Sequence, residues 1–290
     1  MPQTVTLDDA LIKGCISLSK ANFSNLVIKS IDAKTKWEAI TDLSFLTCSI
    51  EDVTFIPMIF PSVTMLKIVD CQIDEEQLHE FSRYKLIVLN ISGCKLSKIP
   101  LSLLKPGLKA LILSDNNITE IPPLLESIPK GPRAIKITYN LNTLILSKNP
   151  LTNESIKDRF SDFPSLRKVN FSECELTACP QILSASIREV RLSHNKISNI
   201  SDSWTCLPKL RQLELGHNRI VMIRDLSALT RTKWLHQLGL AGNPCMEREE
   251  VVAYLKKALA AVNPHMRINQ IIVSSLTTQI PVQNAKSDYF

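Results

Sequence analysis

Eight cysteines and five histidines are the residues of this 290-residue chain with the most obvious chemical potential. Thiolates and imidazoles together could hold zinc, and a C-x-x-C pair would add redox chemistry. No C-x-x-C pair occurs. Cys48, Cys71, Cys94 and Cys174 instead share one place in a recurring phrase, and Cys245 shares another. That placement predicts buried structural thiols. His194 and His217 stand at equivalent places in adjacent copies of the phrase, so they should lie near each other. Two imidazoles could bind a metal or sense pH. Their contexts, Ser193-His194-Asn195 and Gly216-His217-Asn218, are ordinary variants of the phrase, and no metal site is expected. No nucleophile elbow, P-loop, H-E-x-x-H or kinase phrase is present. The chain is therefore expected to be no enzyme, with no catalytic residues, no cofactor and no small-molecule substrate.

The phrase that positions these residues is L-x-x-L-x-L-x-x-(N or C)-x-L. Clean copies start at Leu108, Leu141, Leu166, Ile187, Leu210 and Leu235. Earlier copies start at Ile40, Val63 and Leu86, and a degenerate one lies around Ile16, Leu18, Ala21 and Phe23. The L-x-L core alternates at period two, so each copy predicts a short strand with one buried face. The Asn or Cys position should turn inward and satisfy backbone groups that the stack would otherwise orphan. A period of this length identifies an α/β solenoid of leucine-rich repeats. The expected form is a horseshoe of about ten repeats, with a concave parallel sheet and short helical or irregular convex returns. Few aromatics (6%) suit a core of stacked Leu and Ile. Repeat spacing widens once, from Leu108 to Leu141, and a turn-rich insert near Ser127–Arg133 should project as a loop.

The expected organisation is an N-terminal cap and degenerate repeat over 1–39, repeats over 40–245, a cap helix over 246–270 and a tail over 271–290. Two returns predict helices: Asp74-Glu75-Glu76-Gln77 reads as a capping box, and Asn153-Glu154-Ser155 as a second helix start. Glu247–Leu259 predicts an amphipathic capping helix with Val251, Tyr254, Leu255, Ala258 and Leu259 on one face. Ile271-Ile272-Val273 could dock as one more strand. Gly242-Asn243-Pro244, a tyrosine on the next helix, then Val262, Pro264, Met266 and Ile268 resemble the C-terminal cap of the intracellular Sds22-like group of leucine-rich repeat proteins. That group includes a nuclear phosphatase regulator, the U2 snRNP A′ protein and tubulin-folding cofactor E. The resemblance implies a ribonucleoprotein component or a phosphatase regulatory subunit as alternatives to a general scaffold.

A solenoid exposes a long sheet face, so its default activity is holding a partner. The outward strand positions in the middle repeats are apolar: Leu46, Met65, Val69, Val88, Ala110, Ile112 and Ile145. Further along they become Arg167, Lys168, Arg188, Glu189, Arg191, Arg211, Gln212 and Glu214. Arg167, Arg188 and Arg211 recur at one position and should form a basic ladder at about 5 Å spacing. The expected footprint has an apolar anchor region and an arginine region that fixes orientation. Net charge is +6, too small to require nucleic acid. The expected partner is another protein, within a larger complex, on the concave face, with RNA as runner-up. No run reaches 18 consecutive apolar residues, so no membrane association is expected. The N-terminus, Met1-Pro2-Gln3-Thr4-Val5, lacks a signal-peptide pattern. An intracellular location, cytoplasmic or nuclear, is therefore expected, and the six N-x-S/T sequons at Asn22, Asn90, Asn117, Asn153, Asn170 and Asn199 carry little weight.

Overall fold

The computed structural model describes residues 15–19, 38–54, 56–122, 139–157, 159–160, 163–181, 184–200, 207–231, 234–268 and 271–272. Two compact units divide the chain: Met1–Ile118 with Leu124–Leu146, and Thr119–Pro123 with Ser147–Phe290. The insert near Ser127–Arg133 lies outside the described residues.

In the first unit the period-two phrases become parallel strands. They are β1 (Cys15–Ser19), β2 (Asp42–Leu46), β4 (Met65–Val69), β6 (Val88–Ser92), β7 (Ala110–Ile112) and β8 (Thr143–Ile145). Each pairs in parallel with the next. A second small parallel pair joins β3 (Ser49–Ile50) to β5 (Gln72–Ile73). The degenerate first copy therefore does make its strand. Leu43, Leu66, Leu89, Leu111 and Leu144 point to the same side of the pleat and are buried, so one Leu per repeat stacks through the core.

The second unit repeats the scheme with β9 (Lys168–Asn170), β10 (Glu189–Arg191), β11 (Gln212–Glu214) and β12 (Gln237–Gly239), all parallel. β13 (Arg267–Ile268) extends it in parallel beside β12. β14 (Ile271–Ile272) then turns back antiparallel. The tail's first residues thus add a strand, in the opposite direction to the repeats.

The inward Asn/Cys position ties each repeat to its neighbour. The Asn218 amide nitrogen donates to the carbonyls of Leu192 (2.9 Å) and Leu215 (2.9 Å), and its oxygen accepts from the Ile197 N–H (3.1 Å). Asn195 and Asn243 make the same set one repeat away on either side. Cysteine performs a reduced version: the Cys71 thiol donates to the Val69 carbonyl (3.3 Å) and accepts from the Cys48 N–H (3.3 Å). Buried backbone groups that the tight turn leaves without a ladder partner are satisfied in this way.

The residue just before that position is left-handed in nine repeats: Thr47, Asp70, Gly93, Asp115, Lys148, Glu173, His194, His217 and Gly242, with φ between 52° and 72°. The conformation aims its N–H along the stack. Thr47, Asp70, Gly93, Glu173, His194 and His217 each donate to a carbonyl of the following repeat at 2.7–2.9 Å. Two of these nine are glycine, whereas Thr47, Asp70, Glu173, His194 and His217 accept left-handed strain in exchange for that bond.

The returns differ from expectation. Glu75–Arg83 is a 3₁₀ helix, and Asp74 caps it through the Glu76 N–H (3.0 Å). The reciprocal half of the capping box is not made. Gln77 reaches back to the previous repeat, donating to the Glu51 carbonyl and accepting from the Val53 N–H. Glu154–Ile156 is a single 3₁₀ turn. Asn153 does not cap it, because its side chain accepts from the N–H groups of Thr177 and Ala178 in the next repeat. A short return has room for one to three tight turns, and cross-repeat bonds claim Gln77 and Asn153, which would otherwise cap. Other helical segments are α1 (Ile56–Ile59), the 3₁₀ segments Leu101–Leu103, Ile223–Arg231 and Pro244–Glu247, and α2 (Glu249–Val262). In α2, Val251, Leu255 and Leu259 are buried as expected, whereas Tyr254 is exposed.

Candidate functional site

The strand registers place Leu46, Met65, Val69, Val88, Ala110, Ile112, Ile145, Lys168, Glu189, Arg191, Gln212 and Glu214 at the alternate, non-core positions of their strands and sort them into rows, whereas Arg167, Arg188 and Arg211 precede their strands. In the first unit one row reads Asp42, Met65, Val88, Ala110, Thr143, and the next reads Ser44, Lys67, Asn90, Ile112, Ile145. Met65, Val88, Ala110, Ile112 and Ile145 form a connected diagonal, because Ala110 and Ile112 are i, i+2 neighbours on β7. All five are half-buried. Lys67 and Asn90 interrupt the face, so Val69 and Leu46, paired with each other in a third row, stand apart from the diagonal. The apolar patch is thus narrower than the strand pattern suggests. Ile87, 47% exposed, flanks it at the strand edge and was not singled out from the sequence. Its backbone place follows Thr64 and precedes Lys109 in an edge row that only the register reveals.

In the second unit one row is Lys168, Glu189, Gln212, Gln237, Arg267 and its neighbour is Asn170, Arg191, Glu214, Gly239. Glu189 collects two cations: Lys168 Nζ lies 2.9 Å and Arg191 Nε 2.7 Å from the same carboxylate oxygen. Glu214 accepts from the amides of Gln212 (3.4 Å) and Gln237 (3.1 Å). Its carboxylate also fills the space where a side chain on Gly239 would sit, with Oε2 1.8 Å from the position a Cβ would take. Lys168, Arg191 and Glu214 are therefore engaged within the face.

Arg167, Arg188 and Arg211 behave differently. They form a row just before the strands, each backbone N–H bonding the carbonyl of the one before: Arg188 to Arg167 (2.7 Å) and Arg211 to Arg188 (2.8 Å). His236 continues it, donating to the Arg211 carbonyl (2.8 Å). All three arginines are exposed, and none joins an ion pair among the described residues. Beside His236 stands Trp234, 61% exposed, which sequence reasoning passed over because it precedes the strand phrase.

The histidines stack face to face, ring centroids 4.3 Å apart and planes within 9°. His217 in turn lies over Gly242, where an added Cβ would fall 2.3 Å from Nδ1. Parallel rings of this kind do not converge their nitrogens on a common point. Among the described residues no group of three or more His, Cys, Asp or Glu could hold a metal. Cys48, Cys71, Cys94, Cys174, Cys179 and Cys245 are buried thiols outside any disulfide. Burial raises the Cys71 thiol to about 12 and those of Cys94, Cys174 and Cys245 to about 11. Thiols so disfavoured as thiolates are poor nucleophiles and ligands. No helix among the described residues is long and apolar enough to cross a membrane.

The chain carries leucine-rich repeats: the Leucine Rich Repeat family model matches residues 85–106 and 107–128. Among curated proteins it is 33% identical to dog biglycan over 128 residues, 39% of this chain and 34% of biglycan. It is 32% identical to human lumican over 150 residues, 51% of this chain and 41% of lumican. The chain thus matches about a third to two-fifths of the length of these relatives. Among solved structures it is similar to a chain in the octameric complex of Latrophilin 3, Unc5D and FLRT2, with TM-score 0.59, 20% identity, and 79% of this chain and 69% of that one covered. A leucine-rich repeat protein of Leptospira interrogans matches with TM-score 0.57 and 20% identity over 81% of this chain and 62% of that one. The fold is that of the leucine-rich repeat solenoids. Biglycan and lumican are secreted extracellular matrix proteins and non-enzymatic binders. This overturns the expectation of an intracellular, non-secreted protein, which rested on the lack of a leader pattern.

Proposed function

We propose that this protein is a non-enzymatic interaction scaffold that binds a partner protein on the open faces of its repeat strands. Leucine-rich repeat proteins generally mediate protein–protein interaction, and the relatives named above are binding proteins. The observation that carries the reading is the diagonal Met65, Val88, Ala110, Ile112 and Ile145. Five apolar side chains sit half-buried on a sheet face that no described element covers. An uncovered apolar row costs solvation free energy that a partner would recover. Val69 is the outlying member of this surface in the first unit. In the second unit the candidate contacts are Arg167, Lys168, Arg188, Arg191, Arg211 and Glu214.

The ribonucleoprotein and phosphatase readings rest on the cap resemblance. The outward positions of β9–β12 carry no aromatic side chain, which removes the usual stacking platform for single-stranded RNA. The test is affinity purification with mass spectrometry on the wild type, Val88→Asp, Ile112→Asp and the charge reversal Arg188→Glu/Arg211→Glu. A protein partner is expected to be lost from the aspartate variants. Loss only on charge reversal, with affinity falling steeply with salt, would favour RNA. Unchanged recovery in all variants rejects the open face as the site.

A further inference from the structure

We infer that the edge row Arg167–Arg188–Arg211, with Trp234 beside its His236 end, receives the acidic face of an amphipathic helix in a partner protein. This rests on the interaction-scaffold reading and names the partner's chemistry at one edge of it. The row is built by the backbone. Each arginine's N–H bonds the carbonyl of the arginine one strand earlier, so the side chains are spaced by the strand separation, about 4.8 Å per step. The neighbouring cations on this face are spent: Lys168 and Arg191 both sit on Glu189. The three guanidinium groups keep their charge exposed, and Lys209 and Arg267 nearby are also exposed. No carboxylate stands in the row itself. Glu189 lies one position further in and Glu214 three, and both are already bonded.

A guanidinium fork takes carboxylates and phosphates alike, so the surroundings must choose. A sulfated or phosphorylated chain is charged without interruption, whereas the exposed indole of Trp234 beside the end of the row offers it no cation. A helix presents charge on one face only. Its rise of about 1.5 Å per residue puts carboxylates at i, i+3 and i+7 roughly 4.5 and 10.5 Å along its axis. The arginine steps fall at roughly 4.8 and 9.6 Å. An extended peptide repeats each face every ~6.6 Å and drifts out of step. One step beyond Arg211, beside His236, the exposed indole of Trp234 offers an apolar seat at roughly 14 Å, the place of residue i+10 of such a helix. Arginine and tryptophan are also the residue types over-represented among those that dominate binding energy.

The probe is a synthetic helical peptide with Glu at i, i+3 and i+7 and Leu at i+10, titrated calorimetrically against the full chain. Saturable binding is expected, weakened at least tenfold by Arg188→Glu/Arg211→Glu and about fivefold by Trp234→Ala. A peptide with Lys in place of each Glu should bind the charge-reversed variant and not the wild type, which also establishes that the variant is folded. Met58→Ala, at an exposed helical position outside the strands, should leave peptide binding unchanged. The inference is overturned if the wild type ignores the peptide, if a scrambled peptide of equal composition binds as well, or if a heparin oligosaccharide or poly-uridine binds more tightly. Loss of partner proteins from Val88→Asp alongside any of these results would leave the scaffold reading standing and reject only the acidic helix.

Discussion

At the scale of the residue, one position in each repeat carries much of the cohesion. Asn218 satisfies two carbonyls and one N–H at short range, all of them buried. Asn218→Ala leaves the Ile197 N–H without its acceptor, while the Leu192 and Leu215 carbonyls keep Asn195 and Asn243 as donors. The expected loss is about 1–3 kcal/mol, the cost of one buried unsatisfied group, read from urea denaturation. Asn218→Cys should lose clearly less, because Cys71 shows that a thiol can serve one carbonyl and one N–H at the same place. The cysteines add a pH dependence of known sign. Burial raises Cys71 to about 12 and Cys94, Cys174 and Cys245 to about 11. In the unfolded chain these thiols ionise at their ordinary value, about 8.5. Between that value and the folded ones the unfolded state binds fewer protons, so stability falls as pH rises. The thiol contribution is fully present at pH 7 and should shrink steadily from about pH 9 upward. Denaturation midpoints at pH 7, 9 and 10.5 measure it, and a midpoint that is flat or rises over that range contradicts the assignment.

At the scale of the element, the row of left-handed residues sets the geometry of every turn out of a strand. Gly93 and Thr47 occupy this row with φ of 67° and 55°. They should respond to substitution with opposite signs. In Gly93→Ala the new methyl would fall 1.9 Å from Asp70 Oδ1, in a conformation already costly for an L-residue. A destabilisation of about 1–3 kcal/mol is expected. Thr47 is exposed and β-branched, so Thr47→Gly relieves about 1–2 kcal/mol of left-handed strain. Against this, glycine's greater freedom in the unfolded chain costs about 0.5–1 kcal/mol. A small net gain in thermal midpoint is expected, and a clear drop would show that the threonine is not strained. This row also marks where the sequence stops being legible. The strands could be read because period-two burial leaves a period-two pattern, and β1 through β12 fall on the aligned phrases. The left-handed row could not, because Asp, Lys, Glu, His and Thr fill it where glycine would have signalled it. The helical start at Asp74 could be read, but not that Gln77 leaves the box to bond across repeats, nor that Asn153 does the same and its return stops after one 3₁₀ turn. The outward strand positions were legible from the same pattern. Their pairing was not: the spacing of Lys168, Glu189 and Arg191 gives no hint that all three form one cluster.

At the scale of the whole molecule, a stack of repeats has no closed core, so its ends decide how far order extends. The second unit closes with α2, whose Val251, Leu255 and Leu259 are buried. The helix packs beside the 3₁₀ segment Ile223–Arg231, which contributes Leu226, Ala228 and Leu229 to the same interior. Asn263, just past the helix, donates to the Leu235 carbonyl and ties the cap to the last repeat. Leu259→Asp places an unpaired carboxylate in this interior, where the penalty is several kcal/mol and exceeds what one helix can sustain. The cap should detach while the strands at a distance hold, because nearest-neighbour terms dominate a solenoid. Hydrogen exchange is the measurement. Protection is expected to vanish at Gln237–Gly239, to weaken at Gln212–Glu214 and to remain near its wild-type level at Lys168–Asn170. Uniform loss across β9 to β12 would instead mean that the unit unfolds as one cooperative body, and the cap's role would then be global.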